Sequence, residues 1–269
     1  MDYSDFRESE RQGWSDRAHV YEHATAKATT QSIPALLAAV YPFHGARLLD
    51  VGCGPGYVAG AATALSATAK GLDFSAEMVE AAKLRFPEIP FEVGDAENLT
   101  DANCTYDAVA SNIVLFHITN PMKAIKEAFR VLKPNGYFAF SQWCAPSESA
   151  LYADFFGILS KHADMSKAEA APDAFTLSDR AKVADMFEEA GFEEFITVDV
   201  PNILRAPAAN FYDFFMQFGV RIPLILSKQE AAVQKRIRHE VNTHFERYRV
   251  QNEIHVPMPS MVYSGKRPI

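Results

Sequence analysis

Three glycines stand at alternate positions in Leu48-Leu49-Asp50-Val51-Gly52-Cys53-Gly54-Pro55-Gly56, directly after an apolar run that reads as a short buried strand. Glycine permits positive φ and lets a ligand approach the backbone closely. A helix starting at Tyr57 would add the free N–H groups of its first turn. By itself such a loop suits a nucleotide cofactor or merely a tight bend. The dinucleotide fingerprint G-x-G-x-x-G requires glycine at position 57, and Tyr57 stands there. A tyrosine at that point crowds a pyrophosphate but leaves room for an amino-acid carboxylate.

Two further carboxylates follow at regular intervals. Asp73 lies about twenty residues after the loop, at the end of a second strand, where a carboxylate can accept both hydroxyls of a ribose. Gly94-Asp95-Ala96-Glu97 ends a third strand. There Asp95 can accept from an adenine amine, and the Ala96 N–H can address a ring nitrogen. Singly, Asp73 also reads as a helix-side cap and Asp95 as an ordinary turn residue. Three such groups at consecutive strand ends line the crevice where open parallel sheets bind ligands.

The elements that must position them alternate. Strands are expected at Arg47–Val51, Gly71–Phe74, Phe91–Val93, Tyr106–Ser111 and Tyr137–Trp143. Helices are expected at Tyr57–Leu65, from Ser75 to about Arg85, and from Asn120-Pro121 until Pro134-Asn135-Gly136. In the last of these helices Met122, Ile125, Phe129 and Leu132 form one apolar stripe. Alternation of this kind implies a parallel sheet covered on both faces. Upstream, Trp14, Ala18 and Tyr21 fall on one helix face, and Ser32 with Pro34 opens a second helix. Downstream, helices are expected at Ser149–His162 and Ser178–Ala190, the second closed by Gly191. Phe192–Leu204 reads as one strand and Met261–Lys266 as a strand returning to the sheet edge. Between them lies a helical insertion from Ala208 to about Arg249, whose Ser227-Lys228-Gln229-Glu230 reads as a capping box.

Composition narrows the function classes. The chain has 269 residues, 48% of them hydrophobic, enough for a sizeable core. Its net charge of −8 repels a phosphate backbone, so no nucleic-acid substrate is expected. The N-terminus shows no basic region followed by an apolar one. The apolar stretch Ile33–Phe43 is far shorter than the roughly 20 residues of a membrane span. A cytoplasmic protein without a span is expected. Cys53, Cys104 and Cys144 are isolated, with no metal-ligand spacing, and no metal is expected.

Together, residues 48–56, Gly71-Leu72-Asp73-Phe74-Ser75, Gly94-Asp95-Ala96-Glu97-Asn98-Leu99, Tyr106-Asp107-Ala108-Val109 with Ser111-Asn112, and Arg130-Val131-Leu132-Lys133-Pro134-Asn135-Gly136 resemble the successive motifs of class I S-adenosylmethionine-dependent methyltransferases. The nearest likeness is to the methyltransferase type 11 group, which includes ubiquinone and menaquinone methylating enzymes. The resemblance covers about residues 14–143. It implies an α/β, doubly wound, Rossmann-like fold with a seven-stranded sheet, mostly parallel with an antiparallel last strand. An N-terminal helical arm and a helical cap inserted before the last strand complete that fold. The expected segments are the arm or lid (1–45), the cofactor-binding core (46–206), the cap (207–250) and the returning strand (251–269).

The resemblance further implies S-adenosylmethionine as cofactor and S-adenosylhomocysteine as product. Gly52 and Gly54 would pass close to the methionine portion, ordered by Asp50. Asp73 would hold the ribose, while Phe74 and Met78 would pack at the adenine. Asp95 and Ala96 would read the adenine edge, Asn112 would face the sulfonium, and Tyr21 would close over the cofactor carboxylate. Asn135 departs from the family, which often has a second glycine there.

The acceptor is less legible. His117 and Tyr21 are the candidate catalytic groups, His117 reading equally as a packing residue, since a base must first reach its substrate. Gln142 and Trp143 are candidate pocket residues. Phe211, Tyr212, Phe214, Phe215 and Phe218 crowd one helix. With Trp14 and Tyr21 they would suit a cap over a small apolar or aromatic acceptor, although core packing explains any single ring. The alternatives are a cyclase- or decarboxylase-like enzyme using the same cofactor and a catalytically silent regulatory subunit. The chain is expected to be a monomer or homodimer.

Overall fold

A computed structural model describes residues 3–41 and 43–269. The chain forms two compact units, one of residues 29–143, 172–200 and 260–269, the other of residues 1–28, 144–171 and 201–259. These units depart from the linear segments read from the sequence. Residues 29–45 join the sheet, because the helix at Ile33–Val40 packs on its strands, whereas 144–171 and 201–206 join the insertion.

The first unit holds strands β1 (Arg47–Val51), β2 (Thr68–Asp73), β3 (Phe91–Val93), β4 (Tyr106–Asn112), β5 (Leu132–Trp143), β6 (Glu193–Val200) and β10 (Ser260–Lys266). Their order is β3-β2-β1-β4-β5-β10-β6. The first five are parallel, and β10 runs antiparallel to both β5 and β6. Strand order therefore reverses between β1 and β4, and the carboxyl ends flanking that point form the ligand crevice of such sheets.

Both faces of this sheet are covered, which is why β1 is buried at every position after Arg47. On one face, Leu36, Leu37 and Val40 of α3 (Ile33–Val40) and Val58, Ala59 and Ala62 of α4 (Tyr57–Ala64) cluster with Leu48, Ala108, Ala139 and Val262. On the other, Phe138 and Phe140 stack on Phe187 at 5.7 and 5.9 Å. Local chemistry sets the helix ends. Ser75 Oγ accepts from the Met78 N–H at the start of α5 (Ala76–Arg85), and Asn120 accepts from Lys123 at the start of α6 (Pro121–Val131). Gly191, at φ +95°, closes α8 (Arg180–Ala190).

Three local expectations change. Pro134–Gly136 does not precede β5 but lies inside it. Asn135 takes the left-handed φ of +66° that a glycine would, and Asn135 and Gly136 exchange backbone hydrogen bonds with Arg267. Phe192–Leu204 is two strands, because Pro201 brings no N–H. β6 stops at Val200, and the chain resumes at Ile203 in another sheet. The capping box does not form. Ser227 ends a helix, donating to Leu224 O, and Glu230 precedes the next helix without a side-chain cap.

The second unit contains α1 (Ser4–Arg17), the short turn α2 (Ala26–Thr29) at its boundary, α7 (Ala150–His162), α9 (Phe211–Phe218), α10 (Arg221–Ser227) and α11 (Ala231–Phe245). A three-stranded antiparallel sheet joins β7 (Ile203–Pro207), β9 (Glu253–Pro257) and β8 (Arg249–Val250). Its interior is aromatic, with Phe155 4.4 Å from Phe215 and Phe211 4.5 Å from Phe245. Among the described residues no helix is long and apolar enough to cross a membrane.

Candidate functional site

The loop after β1 turns through Gly52, Gly54 and Gly56 at φ +70°, +50° and +85°. Its amides are occupied from within the chain. Gly52 and Cys53 N–H donate to Leu72 O at 2.9 Å, and Gly56 N–H donates to Cys53 O. Gly54 N–H donates to Asp73 Oδ2 at 2.8 Å. The first turn of α4 is likewise engaged where Ala59 N–H donates to Asp50 Oδ2 at 3.0 Å. This differs from a phosphate-cradling loop, whose amides point at the anion.

Carboxylates dominate instead. Asp50 is fully buried, and its Oδ1 has no hydrogen-bond partner among the described residues. Asp73 is 6% exposed and accepts from Gly54 and, through Oδ1, from Ser75 N–H at 2.9 Å. Burial pushes the Asp50 carboxyl up to about 7, and the neighbouring Asp73 charge adds to the rise. Burial likewise lifts Asp73 to about 6, against the pull of its amide hydrogen bonds and of His117. Burial and both carboxylates drive the Cys53 thiol far above its usual range, so it is no nucleophile. Asp73, at the rim of the loop, can accept hydroxyl donors, whereas Asp50 lies wholly inside. The Tyr57 ring lies 4.7 Å from the Arg85 guanidinium.

At the end of β3, Asp95 and Ala96 are half-buried, and Asp95 Oδ1 accepts from Glu97 N–H at 2.9 Å. Met78 is buried under its Ser75 cap and Phe74 is half-buried. Asn112 ends β4 with its amide largely engaged. Oδ1 accepts from Ser32 at 2.7 Å and Ser141 at 2.6 Å, and Nδ2 donates to Thr29 O at 2.9 Å. This leaves one amide hydrogen for any other partner. His117 follows in a short turn, Leu115–His117, its ring 3.9 Å from that of Phe116. The structure therefore brings the loop, Asp50, Asp73, Asp95, Asn112 and His117 into one unit. Tyr21 belongs to the other unit, in a turn beyond the end of α1, with its ring 6.0 Å from Trp14.

The aromatic residues read as a cap over the acceptor behave differently. Phe211, Tyr212, Phe214, Phe215 and Phe218 are all buried and form the interior of their own unit. Gln142 is fully buried and donates to Ala174 O at 3.1 Å, and Trp143 is buried beside it. No metal-ligating cluster occurs among the described residues.

Sequence reasoning missed three features here. A Cβ on Gly52 would lie 2.4 Å from Val114, so this glycine serves packing as well as φ. Ile113 holds φ +59°, a strained position for a β-branched residue. Glu97 is buried and accepts from Thr119 and Asn120, a role its place in a quoted motif did not reveal.

Residues 49–140 match the family model described as a methyltransferase domain. A demethylmenaquinone methyltransferase of Renibacterium salmoninarum is 35% identical over 40% of this chain and 46% of its own length. The 27-O-demethylrifamycin SV methyltransferase of Amycolatopsis mediterranei is 33% identical over 52% of this chain and 53% of its own length. The chain thus spans about half the length of the curated relatives it matches. Among solved structures, YcgJ of Bacillus subtilis superposes with a TM-score of 0.60 at 22% identity, over 89% of this chain and 99% of that one. The motifs and the strand order agree with that family match, so residues 49–140 are similar to a methyltransferase domain.

Proposed function

We propose that this chain transfers a methyl group from S-adenosylmethionine to a small apolar or aromatic acceptor, releasing S-adenosylhomocysteine. The carrying observation is the pair of desolvated carboxylates, Asp50 and Asp73, around a glycine loop whose own amides are engaged. Amides engaged within the loop offer no pyrophosphate cradle, and the Asp73 carboxylate can accept nucleoside hydroxyls. Asp73, 6% exposed at the end of its strand, offers carboxylate lone pairs to ribose hydroxyls, so the residues fit the cofactor.

In this reading Asp73 accepts the ribose hydroxyls, Asp95 and Ala96 read the adenine edge, and Phe74 and Met78 pack on the base. Gly52 and Gly54 admit the methionine portion close to the backbone, Asp50 orders the loop, and Asn112 stands at the strand end on the sulfonium side. Bound there, the sulfonium supplies an already activated methyl group. The protein's contribution is alignment and exclusion of water, which alone can supply on the order of 7–11 kcal/mol. The residues around the loop would hold the cofactor so that an acceptor could approach its methyl group in line with the carbon–sulfur bond. Where the acceptor is a hydroxyl, His117 takes its proton.

The names of the quinone and rifamycin relatives support an apolar, ring-bearing acceptor. Calorimetry with S-adenosylhomocysteine and NAD, followed by mass spectrometry of methyl transfer to phenols, quinols and amines, tests the proposal. Binding of NAD in place of S-adenosylhomocysteine, or a preference for protein or RNA acceptors, overturns it.

A further inference from the structure

Glu97 is 8% exposed and lies two residues after Asp95. Its backbone N–H donates to Asp95 Oδ1 at 2.9 Å, which fixes the orientation of that carboxylate. Its side chain turns the other way. Oε1 accepts from Thr119 Oγ1 at 2.7 Å and from Asn120 N–H at 3.1 Å. Those two residues close the segment that carries His117, and Asn120 caps α6. One residue thus joins the strand end facing the nucleoside to the turn bearing the candidate base.

The far end of the same loop is held independently. Leu99 N–H donates to Glu127 Oε2 at 2.8 Å, and Arg130 donates to Leu99 O and Asp101 O, both at 2.8 Å. Glu127 and Arg130 both lie on α6, so from Leu99 to Asp101 the loop moves with that helix. Only the stretch Gly94–Asn98 lies between this fixed point and β3. Glu97 is the buried group in that stretch.

We infer that Glu97 is a positioning residue that couples occupancy at Asp95 to the placement of His117. A ligand that engages Asp95 loads the bond from the Glu97 amide, and the Glu97 carboxylate carries that restraint to Thr119 and Asn120. The inference rests on the proposed cofactor reading, because it needs a ligand at Asp95. It adds that ordering of the His117 turn depends on the nucleoside half of the cofactor as well as on the acceptor.

The test uses the full chain with its histidine ring signals followed by NMR, His117 being assigned by the loss of its signal in His117→Ala. S-adenosylhomocysteine is titrated into the parent, Glu97→Gln, Glu97→Ala and Thr119→Val, with affinities measured by calorimetry in parallel. In the parent the His117 ring signal is expected to shift on saturation. Glu97→Gln keeps an acceptor oxygen and should retain most of that shift. Glu97→Ala should lose it while affinity falls less than about tenfold, and Thr119→Val, nearly isosteric, should diminish it. An unchanged His117 response in both Glu97→Ala and Thr119→Val, with binding intact, overturns the coupling. Failure of the parent to bind S-adenosylhomocysteine overturns the cofactor reading and the coupling with it. The two failures are therefore distinct.

Discussion

The Asp50 carboxyl offers the sharpest test of how this site is built. It is fully buried, with Oδ2 on the Ala59 amide and Oδ1 unpartnered, and burial lifts it from 3.8 to about 7. Between those two values the folded chain holds a proton that the unfolded chain has released. Its contribution to stability is complete below pH 3.8 and is lost as pH rises through about 7. The span of roughly three pH units corresponds to about 4 kcal/mol as an upper bound. Replacing the group by Asp50→Asn keeps a carbonyl for the Ala59 amide and removes the charge, but it leaves a buried NH₂ that costs about 1–3 kcal/mol. At pH 8 the variant should therefore be more stable than the parent by about 1–3 kcal/mol. At pH 5 the parent carboxyl is already neutral and the variant should be equal or less stable. Urea unfolding of the ligand-free proteins at both pH values measures this. A variant that is destabilised equally at pH 5 and pH 8 would refute the reasoning, since the ionised carboxylate would then carry no burial penalty.

Other outcomes follow from the same geometry. Asp73→Asn should weaken S-adenosylhomocysteine binding by about 10–100-fold in calorimetry, the loss expected for a charged hydrogen-bond acceptor. In the parent, affinity should fall about tenfold per pH unit below about 6, as Asp73 takes up the proton that competes with ribose donors. A flat profile between pH 5 and 7 would separate Asp73 from the ligand. Phe211→Ala should cost about 3–5 kcal/mol in urea unfolding, as its ring fills the interior against Phe245. A folded variant with normal stability and altered acceptor choice would instead make Phe211 a pocket residue. With a phenolic acceptor, His117→Ala should lower kcat by about 10²–10⁴ while leaving cofactor affinity within a few-fold. Unchanged kcat would reduce His117 to packing.

Much of this site was legible along the chain, because it is built from local signals. Strand ends, caps and glycine turns are set by neighbours a few residues apart. The loop at 52–56, the Ser75 and Asn120 caps and the spacing to Asp73 and Asp95 could therefore be read directly. Asn135 shows the same principle in reverse, since a residue that tolerates positive φ stands where the backbone turns left-handed.

Tertiary structure decided what depends on distant partners. It placed β10 between β5 and β6 and split Phe192–Leu204 at Pro201 into two sheets. It also left the Ser227 hydroxyl on Leu224 O, where the sequence suggested a helix cap. It turned the aromatic helix at Phe211 into a core, because Phe155 and Phe245, more than thirty residues away on either side, supply the facing rings. It also engaged the amides of the loop within the chain. Amide donors are satisfied by Leu72 O and Asp73, so the field around the glycines is set by buried carboxylates and not by free N–H groups. Residue order specifies which backbone groups exist, but only the fold determines which of them remain for a ligand.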